Sequence, residues 1–301
     1  MSKSKGRKIR SIGDVKIIYK LMFAFLIPIV MMVMLGIVCY NTASQNAVSK
    51  YEESAGSTVT SVAEYFNLLT SNVETKATDM LVTDAVKDYY GLNAMSSNQN
   101  KESTSYNAMK TMVLKMTSST KYVANVHVFA AAGRSVSSTT KESVRRLAFD
   151  ENAYDEFQQR EGQPFEDPKF KGMWIGEHLY VDEKTGTSTN DYGLSFMRRL
   201  STGKGFLIID IKRSVVQEAL GRVDFGRGSY VSLITPDGRE IHMKYGEPSY
   251  SMIYKGQSFY QASLEEDVYM SDYVTINKKK YLYLYAPVGE TGMKICALIP
   301  E

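Results

Sequence analysis

LMFAFLIPIVMMVMLGIVCY, residues 21–40, carries no charged side chain and stands between a basic head and a long polar body. Its twenty residues, at the rise of an α-helix, span roughly 30 Å, the thickness of a bilayer hydrocarbon core. The stretch reads as a membrane-crossing helix, and the side on which it leaves the remaining residues governs everything after it. A cleaved secretory signal is the competing reading. Such a signal has a shorter apolar core, about 7 to 15 residues, and Asn41-Thr42-Ala43-Ser44-Gln45 offers no small-x-small cleavage site. Pro28 is compatible with a membrane helix, in which neighbouring groups satisfy the freed carbonyl.

Flanking charge sets the orientation. Lys3, Lys5, Arg7, Lys8, Arg10, Lys16 and Lys20 precede the apolar run, with Asp14 alone opposing them, and cytoplasmic flanks are the ones rich in Lys and Arg. Residues 1–20 therefore read as a cytoplasmic basic tail, 21–42 as the membrane helix, and 43–301 as extracytoplasmic, which places the chain in the cell membrane. The formal charge of the chain is +3 and the first twenty residues carry +6, so the body carries −3. Nucleic acid needs a basic face that this body lacks.

The two cysteines, Cys39 in the apolar run and Cys296 near the end, make neither a disulfide scaffold nor a metal-type spacing. No metal or cofactor is expected. An exported body of about 260 residues must be stabilised by burial alone, and it is large enough for one bilobed domain or two small ones.

Residues 43–90 read as one long stalk helix. Val48, Tyr51, Ala55, Val59, Val62, Phe66, Leu69, Val73, Ala77 and Met80 recur in steps of three and four, the spacing of a continuous apolar seam. Such a helix reaches roughly 60–70 Å. Its seam packs either on its own domain or on a second copy in a homodimer. Tyr89-Tyr90-Gly91 ends it, with Gly91 suited to the C-cap.

A polar loop (91–102) leads to a second helix capped by Ser103 to Ser105, and Lys121 to Ala131 is β-branched and aromatic, a strand. A helical patch covers Glu151 to Arg160. Strands are expected at Gly172 to Val181, Tyr192 to Leu200 and Gly205 to Ile211, with 182–191 a polar hairpin loop. Ser214 to Leu220 reads as helix. Tyr230 to Thr235 and Arg239 to Lys244 form a hairpin about Pro236-Asp237-Gly238, Val268 to Ile276 and Lys280 to Ala286 form another, and Met293 to Ile299 is the last strand. The fold class is α+β: a long N-terminal helix, transmembrane and then extracellular, backing two tandem PAS-like antiparallel-sheet modules.

Tyr51-Glu52, Ala77-Thr78-Asp79-Met80, Phe206-Leu207-Ile208-Ile209-Asp210-Ile211 followed by a helix, and Leu233-Ile234-Thr235-Pro236-Asp237-Gly238-Arg239-Glu240 together resemble the double Cache sensor region of bacterial transmembrane methyl-accepting chemotaxis proteins. The resemblance implies a membrane-distal module over 91–211 that binds a small extracellular molecule. It implies a membrane-proximal module over 212–299, and at 300–301 the start of a second membrane segment. It also implies a homodimer whose cytoplasmic region works with a chemotaxis kinase and a coupling protein. Histidine kinases and diguanylate cyclases carry the same sensor, and a further alternative is a module that binds an extracytoplasmic protein.

Strand alternation places Trp174, His178 and Tyr180 on one face, and parity adds Tyr192, Phe196 and Arg198, with Asp210 close by. Aromatic walls with one cation and one anion suit a small polar ligand such as an amino acid or carboxylate. The competing reading makes Trp174 a core anchor, His178 a buried imidazole and Asp210 a helix cap. The resemblance implies that amino-acid-binding members carry Arg-x-Trp-Tyr and a later Asp; Trp174 and Asp210 match, while Gly172 and Ile175 stand where Arg and Tyr would be. Enzyme readings lack support, because there is no nucleophile elbow or phosphate loop and His127, His178 and His242 fall on separate candidate strands.

Overall fold

A computed structural model describes residues 17–90, 99–131, 134–140, 143–161, 172–201, 204–244, 247–249, 253–265 and 268–301. The chain divides into two compact units, residues 1–55 and 56–301. Helix α1 (Ile17–Val82) contains Pro28 without interruption. In the first unit every side chain from Ile17 to Tyr51 is exposed. A bare apolar run of this length is matched to lipid rather than water, and among the described residues α1 is the one helix long and apolar enough to cross a membrane.

In the second unit the expected seam is present: Val59, Ala63, Phe66, Val73, Ala77 and Met80 are buried. The helix does not run unbroken to Tyr90. Thr83 turns its hydroxyl onto the Met80 carbonyl at 2.7 Å, competing with the helical ladder as mid-helix threonines do, and a separate helix α2 (Asp84–Tyr90) follows. The proposed cap at Gly91 lies outside the described residues. The next helix, α3 (Gln99–Ser119), starts ahead of the serines expected to cap it.

Two sheets follow. The distal one contains β1 (Val123–Ala130), β2 (Ser135–Thr140), β3 (Ser143–Leu147), β4 (Met173–Ile175), β5 (Tyr192–Arg199) and β6 (Gly205–Lys212), with α4 (Glu151–Glu161) and α5 (Leu179–Thr185) inserted. Helix α6 (Arg213–Gly221) connects it to the proximal sheet of β7 (Tyr230–Ile234), β8 (Glu240–Lys244), β9 (Glu247–Ser249), β10 (Met270–Ile276), β11 (Lys279–Pro287) and β12 (Lys294–Pro300), with α7 (Ser258–Glu265) inserted. The distal order is β3-β2-β1-β6-β5-β4, and the proximal sheet, read from its β9 edge, runs β9-β8-β7-β12-β11-β10. Subtracting six from each proximal number reproduces the distal order, so the two modules share one antiparallel topology. Helix α1 serves both: Glu74 and Thr78 touch the distal sheet, and Asn67 lies against Gly289 in the turn after β11.

One strand expectation is corrected. The ladder of residues 172–181 stops at Ile175, and 179–185, expected as strand and hairpin loop, is helix α5. The Asp237 carboxylate accepts the N–H groups of Gly176 and Glu177 at 2.7 and 3.2 Å, so these donors leave the sheet and the chain turns. Gly176 is required there, because a Cβ would stand 2.5 Å from the Arg239 Cβ and 2.6 Å from the Thr235 hydroxyl. Helix α5 then buries Tyr180 and Val181 with Phe157, Phe206 and Ile208 in the apolar core between the cap helices and the distal sheet.

Candidate functional site

Asp210 lies in the middle of the distal sheet, on β6 between β1 and β5. Its carboxylate is fully buried and accepts four donors. Oδ1 takes the Ser195 hydroxyl and His178 Nε2, both at 2.8 Å, and Oδ2 takes Asn125 Nδ2 at 3.1 Å and His127 Nε2 at 3.2 Å. His127 is braced from its other nitrogen by Ser137 at 2.7 Å. Burial alone would raise the Asp210 carboxyl, but the charge of His178 and the bonds from both histidines hold it well below the usual carboxylate range.

His178 is the cation of the cluster. Burial disfavours its charge, yet Asp210 on one side and Asp182 on the other push its pKa up to about 10. Nδ1 faces Asp182 Oδ1 at 3.3 Å, an ion-pair distance without a well-aligned hydrogen bond. Tyr192 stacks on the imidazole at 4.4 Å with planes 10° apart. Its hydroxyl donates to Asp182 at 2.8 Å and accepts the His178 N–H at 3.2 Å. A buried ion-pair network is expensive relative to apolar packing, so its presence at the centre of a sheet marks this place as a candidate binding centre.

The seven residues named from the sequence divide into three groups. His178, Tyr192 and Asp210 meet in this cluster. Tyr180 is nearby but belongs to the cap core, its hydroxyl bonded to the Ala153 carbonyl at 3.0 Å and to Glu156 at 3.1 Å. Trp174, Phe196 and Arg198 lie on the opposite face of the sheet, against α1, where Trp174 Nε1 donates to Glu74 at 2.7 Å and Arg198 donates to Thr78. The single cavity expected from parity is thus corrected to two places. Parity fails at Tyr192 because the β5–β6 register shifts between Tyr192 and Leu194, moving Tyr192 to the Asp210 side. It fails at His178 because β4 has already ended.

Sequence reasoning left out Asn125, His127, Asp182 and Ser195 of the cluster. The usable signal was Asn125-Val126-His127 inside an otherwise apolar buried strand, where each polar side chain needs a partner. It also left out the contact from the proximal module. Arg239, in the turn after β7, donates to the Gly176 carbonyl at 2.5 Å and to the Thr189 carbonyl, and lies 5.3 Å over the Tyr192 ring. Asp237 and Arg239 therefore grip the two segments that present His178 and Tyr192.

No sequence-family model and no curated protein sequence matches the chain. Solved structures do. The extracellular domain of rpHK1S-Z16, assigned as a histidine kinase, superposes with a TM-score of 0.58 at 14% identity, over 86% of this chain and 97% of that one. That of mmHK1S-Z2, assigned likewise, gives 0.54 at 10% identity over 83% and 97%. The fold is that of a double Cache ectodomain. The ligand-binding domain of the Pseudomonas fluorescens chemoreceptor CtaA, solved with L-isoleucine, gives 0.50 at 12% identity over 86% of this chain and 96% of that one. The double Cache fold thus accounts for the long helix, the repeated sheet topology and the cap helices over the distal sheet.

Proposed function

We propose that this chain is the sensor part of a membrane-anchored receptor. Its N-terminus is cytoplasmic, its two modules are extracytoplasmic, and the Asp210 cluster is its centre for recognising a small extracellular molecule. The observation that carries this reading is the complete burial of Asp210, His127 and His178 under the cap helices. A core that needed only stability would place apolar side chains there. His178 occupies an acceptor position on Asp210 that a ligand ammonium can take over, with Tyr192 as an aromatic wall. An amino acid or a related amine is the ligand class that fits. L-isoleucine in CtaA, on the same fold, supports that class.

Displacing His178 moves the segments held by Asp237 and Arg239, so binding biases the proximal module and α1 between two arrangements. In this reading the receptor works as a homodimer and passes the change to a chemotaxis kinase and coupling protein. A histidine-kinase output is the second reading, favoured by the rpHK1S-Z16 superposition. The ectodomain performs no catalysis in either case. A thermal-shift screen of the full chain in detergent against amino acids and small amines tests the reading. The expected result is saturable stabilisation by at least one compound; a flat screen confirmed by flat calorimetry overturns it.

A further inference from the structure

On the other face of the distal sheet the structure holds a cavity of about 840 Å³, within the size range of small-molecule sites. Its floor is α1 with Glu74 and Thr78, one wall is Trp174, Phe196 and Arg198 of the distal sheet, and the far rim comes from the turns of the proximal module at residues 236 and 290–292. It shares no lining residue with the Asp210 cluster.

The chemistry of the walls is specific. The rings of Trp174 and Phe196 lie 5.1 Å apart and tilted, and both line the cavity from a buried position. Among the described residues the Glu74 carboxylate receives the indole N–H alone, and Arg198 donates to the Thr78 hydroxyl alone. Among the described residues neither has an ion-pair partner of opposite charge. The cavity thus offers one open carboxylate and one open guanidinium above an aromatic surface. Glu74 and Thr78, which mark where the two charges attach, are four residues apart on α1, roughly 6 Å along its axis.

We infer that this cavity is a second ligand site, distinct from the Asp210 cluster, and that it takes a short ω-amino acid. The carboxylate of the ligand lies on Arg198, its ammonium on Glu74 and its methylene chain on Trp174 and Phe196. The two charges of an ω-amino acid are spaced as the attachment points on α1 are, so it sets both over their partners at once, which an α-amino acid, with its charges closer together, does less well. A molecule held there touches the helix and both modules at once, so it stabilises one arrangement of the modules independently of the cap-side cluster.

Trp174 is the single tryptophan of the chain, so its fluorescence reports this cavity directly. The full chain in detergent is titrated with 5-aminopentanoate and, separately, with glycine, following tryptophan emission and heat. The expected result is a saturable emission change and measurable heat with 5-aminopentanoate and a markedly weaker response with glycine. Arg198→Gln and Glu74→Gln, each checked for an unchanged unfolding midpoint, weaken binding about tenfold or more. No emission change and no heat up to high millimolar 5-aminopentanoate overturns the site. So does binding that survives both substitutions but vanishes in Asp210→Asn, which assigns the ligand to the cap-side cluster. Loss of the cap-side response in the amino-acid screen leaves this titration unaffected, so the two proposals fail separately.

Discussion

Raising the pH from about 6.5 to about 8.5 removes stability from the distal module through His178. The unfolded chain releases the imidazole proton near pH 6.5, whereas the folded chain holds it to about 10. Between those values the folded state binds a proton that the unfolded state does not, and stability falls as pH rises. The contribution is fully present below the unfolded pKa and is lost as pH passes through the folded one. Well above the unfolded pKa each pH unit costs about 1.4 kcal/mol, and since the unfolded imidazole is still half protonated at about pH 6.5 the two-unit interval costs roughly 2.3 kcal/mol. For a body of this size that lowers the unfolding midpoint by roughly 5–9 °C. The interval ends near 8.5 because Cys296, whose buried thiol is pushed up to about 12, adds a loss of the same sign above its ordinary value. The assay is thermal unfolding of the full chain across this range, beside His178→Gln, in which the slope disappears. A flat profile in the unsubstituted chain, or an equal slope in both, refutes the assignment of the charge to His178.

Arg239→Ala removes the donors to the Gly176 and Thr189 carbonyls; the expected loss is about 2–4 kcal/mol by thermal unfolding, with faster amide exchange at residues 176–178. Gly176→Ala forces a Cβ to 2.5 Å from the Arg239 Cβ and costs about 1–3 kcal/mol in the same assay. Glu240 receives the N–H groups of Ile253 at 2.7 Å and Lys255 at 2.8 Å and lies 3.0 Å from His242. Burial raises its carboxyl, but His242 and those N–H groups leave it below its ordinary value. Its stabilisation is therefore present above about pH 4.3 and lost as pH falls through the folded pKa, which hydrogen exchange at residues 253–257 detects as falling protection in acid.

The parts of the fold that were legible in the sequence are those whose periodicity is set by one apolar partner. The apolar run of 21–40 is exposed on all sides, the helix seam from Val59 to Met80 packs on the modules, and Phe206 to Ile211 is buried on both faces. Turn chemistry at Pro236-Asp237-Gly238 placed the proximal hairpin for the same local reason. Strand β2 was not legible, because Ser135, Ser137 and Ser138 are buried and hydrogen-bonded, and a serine-rich strand reads as loop. The site was half legible. Trp174, Phe196 and Arg198 do share a face, and so do His178, Tyr192 and Asp210. The division between them depends on a register shift in β5 and on Asp237, far away in sequence, drawing Gly176 out of the sheet. Neither leaves a mark in local spacing.

In the proposed function Asp210 and its partners form the recognition centre of a sensor. Calorimetric titration of the full chain with the best compound from the amine screen, in the unsubstituted protein and in Asp210→Asn, tests it most directly. The expected result is saturable binding in the first and a loss of about tenfold or more in the folded variant. Equal affinity in both contradicts it.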